Sequence, residues 1–338
     1  MLAPLTNQQS HEDGTLSDEE FTWLTMRARG GFGLTMSCAS HVQAIGKGFA
    51  RQLGCFGDEH LTGLSRLADA ITAEGSLAFV QLHHAGHRSP ADLIGQQPVC
   101  PSDDPKMGAR AMSTGEVEEM IEAFIVAAER SQRAGFDGVE LHGAHDYLLC
   151  EFLSVELNRR SDRFGGTLEN RARPIMEIVS GIRSRCGDDF NIAVRLSAER
   201  FGMKTSEVVR VFSWLVETGD VDLIDMSLWD VFKDAADEDF AGRRLIDVFA
   251  SIDRGATRLA VAGKLYTADD MRRAIDGGAD IVAIGRAAIT NHDVPRQVEK
   301  NPNFVMRELP VPRTTLLEEG LSEAFVGYMG NWPGFVGD

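Results

Sequence analysis

Short apolar runs alternate with helical patterns along almost the whole chain, and this alternation constrains the fold more than any other feature of the sequence. Seven runs have the length of a strand: GLTMSCA (33–39), SLAFVQL (76–82), GVELH (138–142), NIAVRLS (191–197), VDLIDMS (221–227), RLAVAG (258–263) and DIVAIG (280–285). The initial MLAP has the character of the last residues of one more strand. Nearly continuous apolar runs are typical of parallel strands that are buried on both faces.

Helix signals lie between these runs. Ser113 and Glu116 have the spacing of a capping box, and Gly135 is a natural stop for the helix that follows them. Thr167 and Thr267 begin two further helical patterns. Strands and helices are therefore expected to follow one another in turn.

This order predicts the fold class. About eight βα units, with no linker rich in Pro, Gly or Ser, predict an α/β protein with a single-domain (β/α)8 TIM barrel. The barrel is expected to span residues 1–338, with 301–338 as a C-terminal tail. A doubly wound open sheet is the alternative, but the GxGxxG that usually follows its first strand is absent.

Composition excludes several classes of function. The formal net charge of -17 argues against binding of nucleic acid, because a polyanion would be repelled. The five cysteines are scattered, which predicts free thiols in a reducing cytoplasm rather than disulfides or an iron–sulfur cluster. No apolar run approaches the length of a membrane span, and the first ten residues do not look like a signal peptide.

In a barrel of this type, function resides where the strands end and the following loops begin. Gly263, Gly285 and Arg286 follow the last two strands, where barrels commonly bind a phosphate; the alternative is a pair of tight turns with solvated basic residues. Arg195 lies inside an apolar strand, so its charge needs a partner. That partner is either a carboxylate of a neighbouring strand, such as Glu140, or a ligand anion.

The third predicted strand ends in a polar stretch. The amide of Gln81 could bind the edge of a heterocycle. His83, His84 and His87 follow it and raise the hypothesis of a metal site. Buried or solvated imidazoles are the favoured interpretation, because carboxylates or thiolates at recognisable spacing are missing.

The segment GVELHGAHDYLLCEF (138–152) carries the sharpest signal. His142 and His145 lie on a strand-to-loop turn, where both imidazoles could reach one ligand atom and stabilise a developing oxyanion. Tyr147 follows, and its phenol is a proton donor at pH 7. From these residues alone, an anion site, a metal site that includes Asp146, and a polar turn all remain open.

Taken together, the motifs resemble the old yellow enzymes, which are FMN-dependent oxidoreductases on a (β/α)8 barrel. The resemblance covers nearly the whole chain and is most specific over residues 135–173. It rests on APLT, QLHHAG, GFDGVELHGAHDYLLCEFLS, NRRSDRFGGTLENRAR, AVRLS and VAIGRAAITN, which occur in the order of the family.

The resemblance implies a set of roles. The flavin ring would contact Ala3, Pro4, Leu5, Thr6, Ala39, Gln81 and Arg195, and its phosphate would contact Gly263, Gly285 and Arg286. His142 and His145 would bind the oxygen of the substrate, and Tyr147 would be the proton donor. The implied reaction takes hydride from NAD(P)H and reduces the activated C=C bond of α,β-unsaturated carbonyl or nitro compounds.

Two other functions stay open at this point. The first is an FMN-binding barrel with a different acceptor, such as a quinone, a nitro compound or oxygen. The second is a metal-dependent barrel hydrolase that uses His83, His84, His142 and His145.

The sequence also departs from the family pattern. Asp146 stands where the family usually has Gly, His87 stands where HAGR has Arg, and Cys38 replaces a common acidic residue. Thr6 excludes the redox-tuning cysteine of one subgroup. The first strand is represented only by its last residues, which leaves closure of the barrel to be established.

The aromatic segment YMGNWPGF (328–335) has two interpretations. It either enters the active site of a neighbouring subunit, which would favour a homo-oligomer, or packs under the barrel.

Overall fold

The computed structural model describes residues 1–338 and contains eleven short strands and thirteen α-helices. The strands, in chain order, are β1 (Leu34–His41), β2 (Leu77–His83), β3 (Val99–Cys100), β4 (Arg110–Ala111), β5 (Gly138–Gly143), β6 (Asn191–Ser197), β7 (Leu223–Ser227), β8 (Arg258–Ala262), β9 (Ile281–Val282), β10 (Val311–Pro312) and β11 (Val336–Gly337).

The helices alternate with the longer strands, as the sequence predicts. They are α1 (Asp18–Arg29), α2 (Leu61–Thr72), α3 (Ala91–Ile94), α4 (Thr114–Arg133), α5 (Leu148–Leu153), α6 (Leu168–Cys186), α7 (Thr205–Thr218), α8 (Leu245–Ala250), α9 (Ala268–Asp276), α10 (Arg286–Thr290), α11 (Val294–Lys300), α12 (Arg313–Glu318) and α13 (Glu323–Met329). None of them is long and apolar enough to span a membrane.

The helix starts lie where the sequence predicts them. The side chain of Ser113 accepts a hydrogen bond from the backbone N–H of Glu116, and the two residues form a complete capping box before α4. Thr167 and Thr267 cap α6 and α9 in the same manner, each accepting from the N–H three residues later.

The fold is a (β/α)8 barrel, as predicted. Its curled parallel sheet has the strand order β1-β2-β5-β6-β7-β8-β9. The two short pairs β3–β4 and β10–β11 lie outside the sheet. Residues of β1 and β5 are buried along their whole length, as expected for strands with a helix layer outside and a packed barrel inside.

The first residues of the chain close the barrel. The backbone N–H of Leu2 donates to the carbonyl oxygen of Leu34 at 2.8 Å, beside β1. The N–H of Ala3 donates to Ile284 at 3.0 Å, and the N–H of Ile284 donates to Met1 at 3.0 Å. A three-residue segment therefore takes the place of the eighth strand between β1 and β9.

The interior of the barrel forms an apolar layer separate from the outer core. Met1 and Ile281 pack against this layer. Its buried residues come from five different strands and are Leu34, Met36, Phe79, Ala193, Leu223 and Ala260. This layer fills the lower part of the barrel and leaves the carboxyl ends of the strands to carry polar side chains.

The C-terminal tail crosses the mouth of the barrel. Met329, at the end of α13, and Trp332 line the same cavity as the strand-end residues. The expectation that this segment packs under the barrel is therefore wrong. The segment adds apolar and aromatic side chains at the carboxyl ends of the strands instead.

Candidate active site

A cavity of about 360 Å³ opens at the carboxyl ends of the strands. Eight of the residues predicted from the sequence line it: Ala3, Pro4, Leu5, His145, Arg195, Gly263, Gly285 and Arg286. Others that line it were not among the predicted site residues: Ser227, Trp229, Ala262, Lys264, Leu265, Tyr266, Ala283, Ile289, Met329 and Trp332. Ser227 could have been found, because it ends a predicted strand, and Trp332 lies in the aromatic segment 328–335, but no local signal marks Trp229.

Positive charge gathers at one end of this cavity. Arg286 donates from Nη1 to the Tyr266 hydroxyl at 2.5 Å. Lys264 forms an ion pair with Asp230, with 3.0 Å between Nζ and Oδ2. A Cβ at Gly263 would lie 2.8 Å from the backbone nitrogen of Asp230, so only glycine fits there.

Arg195 is buried on β6 beside two carboxyl groups. Its Nε lies 3.1 Å from Oδ2 of Asp225, which is its register neighbour on β7. Although the ion pair is close, Nε has no aligned hydrogen-bond acceptor. The predicted alternative partner, Glu140 on β5, accepts a hydrogen bond from Nε2 of Gln81 at 2.7 Å instead. The carboxylate of Asp225 on β7, and not that of Glu140 on β5, therefore pairs with the Arg195 guanidinium.

The surroundings of Glu140 favour its protonated form. Burial, and after it the charge of Asp225, raises the pKa of Glu140 to about 8, although Arg195 and Gln81 oppose the shift. The predicted residues Gln81 and Ala39 are also buried and have partners within the protein. The Ala39 carbonyl accepts from Nε2 of Gln52 at 2.7 Å.

His142 and His145 form a chain of hydrogen bonds. The N–H of Ala144 points at Nδ1 of His142 at 3.3 Å, so Nε2 of His142 carries the proton and donates to Nδ1 of His145 at 3.3 Å. Nε2 of His145 then donates to the Ser227 hydroxyl at 2.7 Å. Burial lowers the pKa of His145 to about 3 and lowers the pKa of His142 well below its usual range. Both imidazoles are neutral donors.

Tyr147 packs against this pair. Its ring centroid lies 5.0 Å from that of His142 and 4.4 Å from that of His83. The guanidinium of Arg88 lies 5.0 Å from the centre of the phenol ring. Burial raises the pKa of Tyr147, so its phenol keeps the proton at neutral pH. The hydroxyl makes no hydrogen bond within the protein.

The other histidines of the strand ends have separate partners. Nδ1 of His83 accepts from Nε2 of Gln52 at 3.1 Å, and Nδ1 of His84 accepts from the N–H of Gly86 at 3.0 Å. No group of three or more His, Cys, Asp or Glu side chains is arranged to hold a metal ion. Burial raises the pKa of Tyr328, and the side chain of Thr6 opposes this shift.

Comparisons with known proteins identify the family of this chain. The model of the NADH:flavin oxidoreductase / NADH oxidase family matches residues 1–304. A probable NADH-dependent flavin oxidoreductase of Bacillus subtilis is 34% identical over 86% of this chain and 80% of its own. An NADPH dehydrogenase of Bacillus cytotoxicus is 34% identical over 91% of this chain and 90% of its own. The solved old yellow enzyme homologue of Zymomonas mobilis superposes with a TM-score of 0.80 at 26% identity, covering 96% of this chain and 94% of that one.

Proposed function

Because the chain belongs to the NADH:flavin oxidoreductase / NADH oxidase family and is an FMN-binding, NAD(P)H-dependent oxidoreductase, we propose that it reduces activated C=C bonds of α,β-unsaturated carbonyl or nitro compounds. One observation carries the proposal. Two neutral imidazoles whose facing nitrogens are 3.3 Å apart lie beside a protonated phenol that has no partner within the protein.

The residues of the cavity fit FMN. Arg195 presents an Nε without an aligned acceptor, and Gly263 and Gly285 line the wall of the cavity. We assign Arg286 to the phosphate, with Gly263 and Gly285. Arg195, together with Ala3, Pro4, Leu5, Thr6, Ala39 and Gln81, would surround the ring. When bound, FMN supplies the hydride chemistry.

The residues of the chain supply binding and a proton. A substrate oxygen that inserts between His142 and His145 would replace their mutual hydrogen bond and accept from Nε2–H of His142. It would accept from His145 as well once that ring takes the Nδ1–H tautomer, with the Ser227 hydroxyl then donating to Nε2 of His145. These donors polarise the oxygen, so negative charge develops there rather than on carbon. Tyr147 donates its hydroxyl proton to the α-carbon of the substrate, which completes the reduction.

Other acceptors, the location of the protein in the cell and its oligomeric state are also proposed. Quinones, other nitro compounds and oxygen are alternative acceptors, since each offers an oxygen to the same two imidazoles. The net charge of -17 supports the absence of a nucleic-acid partner, and five unpaired cysteines support a place in the cytoplasm. The homo-oligomer stays a prediction, which light scattering after size exclusion would test.

The test separates the two half-reactions. The purified protein should be yellow, should bleach with NADH or NADPH, and should regain its colour with an enone. In Tyr147→Phe we expect re-oxidation by the enone to slow by about 10²–10⁴-fold, which is the range for loss of a general acid, while reduction by NAD(P)H stays nearly unchanged.

Tyr328→Phe is the matched variant. Tyr328 is close enough for its charge to influence the pKa of Tyr147, but it lies on α13 and not on the turn that carries His145. A larger loss of re-oxidation in Tyr328→Phe would move the donor role to that residue. Equal losses of both half-reactions in Tyr147→Phe would refute the donor role. A colourless protein that stays colourless with added FMN would refute the function.

A further inference from the structure

Beside the turn that carries His145 and Tyr147 lies a buried imidazole among three carboxyl groups. His87 is 5% exposed. Its Nδ1 lies 2.9 Å from Oδ2 of Asp104, and its Nε2 lies 3.2 Å from Oδ2 of Asp146. Glu151, on α5, accepts from the backbone N–H of His87 at 2.9 Å, and its Oε1 lies 3.8 Å from Nε2.

The geometry requires a charged His87. A neutral imidazole has one N–H and could donate to only one carboxylate, whereas the imidazolium donates to both. Burial alone would lower the pKa of His87, but the hydrogen bond to Asp146 and the charges of Glu151 and Asp146 raise it to about 9. Burial also raises the pKa of Glu151 well above its usual range, while the charge and the backbone N–H of His87 oppose that shift. A cation therefore joins the carboxylates of Asp104 and Asp146.

The turn that this cation holds is unfavourable by itself. His145 and Asp146 have φ values of 61° and 64°, in the left-handed region that favours glycine. An L-residue in this region is disfavoured, because its Cβ comes close to the following carbonyl oxygen. Neighbouring contacts must stabilise the turn. The loop after β2 provides two of them: His87 binds the Asp146 side chain, and Nη1 of Arg88 donates to the His145 carbonyl at 3.1 Å.

We propose that His87 and Asp146 form a latch, anchored by Asp104, that fixes the 145–147 turn and so sets the positions of His145 and Tyr147. The inference rests on the proposed function, because it assigns His145 to the substrate oxygen and Tyr147 to proton donation. His87 and Asp146 are positioning residues, since neither is needed to touch the substrate. The departures at 87 and 146 are thus two halves of one contact.

Asp146→Asn keeps the size of the side chain and removes its charge. We expect re-oxidation of the reduced protein by an enone to slow by roughly ten- to a hundredfold, as misplaced catalytic groups do. Reduction by NAD(P)H should slow at least fivefold less than re-oxidation, because it requires no proton from Tyr147. Asp92→Asn is the matched control, because Asp92 lies exposed on α3, which directly follows this loop, and makes no side-chain hydrogen bond.

Two further measurements distinguish a latch from general loss of structure. His87→Gln should lose as much as Asp146→Asn, and the double variant should lose no more than either one, because the two side chains form one contact. In the resting holoprotein, hydrogen exchange of the peptide 138–152 should accelerate in each variant, while peptides of α6 stay protected. This second readout does not depend on turnover.

The pH profile adds a third arm. His87 is faced by Asp104, Asp146 and Glu151, with Arg88 beside it. Because His87 is charged below about pH 9, the enone rate of the wild type should fall as pH rises through about 9. His87→Arg keeps a cation at all these pH values and should remove this decrease, leaving only the later ionisation of Tyr147.

Additive losses in the double variant, unchanged exchange of 138–152, or an unaltered profile in His87→Arg would each overturn the latch. A wild type that exchanges and binds FMN normally but never reduces an enone would refute the proposed function, and the hydrogen-exchange arm would still decide the latch.

Discussion

Glu140→Gln is expected to stabilise the folded protein, and to do so more strongly as pH rises. Glu140 is fully buried on β5; Oε1 accepts from Gln81, while Oε2 has no partner. Burial, and after it the charge of Asp225, raises its pKa from 4.5 to about 8. A glutamine keeps the shape and the acceptor for Gln81, and it has no proton to lose.

The sign follows from proton linkage. Between pH 4.5 and about 8, the folded protein holds a proton on Glu140 that the unfolded chain has already released. Stability therefore falls as pH rises, by about 1.4 kcal/mol per pH unit, and reaches a plateau once Glu140 ionises in the folded state. Because Glu140 and Asp225 interact, the transition belongs to the pair. We expect the difference in free energy of unfolding, variant minus wild type, to increase by up to about 4 kcal/mol between pH 5 and pH 8.

Urea unfolding, followed by circular dichroism at saturating FMN from pH 5 to pH 9, measures this difference. Taking the difference between variant and wild type cancels the pH dependence of FMN binding that the two share. Glu119→Gln, at an exposed position of α4, is the control and should run parallel to the wild type. If the Glu140→Gln curve also ran parallel to the wild type, Glu140 would already be ionised in the folded protein at pH 5, and the reasoning would fail.

Two further predictions concern the cavity and the thiols. Arg286→Ala should weaken FMN binding by about a hundredfold, the loss of one charge-assisted bidentate contact, in a flavin fluorescence titration; unchanged affinity would remove Arg286 from the phosphate site. Native protein should react with Ellman's reagent far more slowly than unfolded protein, since every thiol is buried and burial raises its pKa; one fast-reacting thiol would contradict this. The five are Cys38, Cys55, Cys100, Cys150 and Cys186.

Local patterns predicted the fold well because each element carries its own signal. Asn191–Ser197 is a strand with the predicted bounds, and Ser113 and Thr167 cap helices through hydrogen bonds within three residues of themselves. The strand-end rule then found Arg195 and Arg286, because parallel strands bring their carboxyl ends to one edge. Such inferences need only sequence spacing and one geometric rule.

Contacts between distant loops could not be predicted in this way. Arg195 has a carboxyl group on each neighbouring strand, and only the side-chain packing determines that it pairs with Asp225 and not with Glu140. Closure of the barrel by Met1–Ala3 depends on hydrogen bonds to both β1 and the residues after β9. The pairing of His87 with Asp146 joins residues 59 positions apart, and no local sequence pattern around either residue indicates that the other is its partner.

The arrangement of charge around the site supports the assignment of the proton donor. Arg195 and Asp225 form one buried pair, and the latch of His87, Asp104 and Asp146 forms a second charged group beside the turn. Between them, burial keeps the imidazoles of His142 and His145 neutral. A neutral imidazole N–H can polarise an oxygen, but it is a much weaker acid than a phenol. Tyr147 is therefore the strongest acid among these three side chains, and its raised pKa makes proton transfer to the substrate dependent on accurate placement, which the latch would provide.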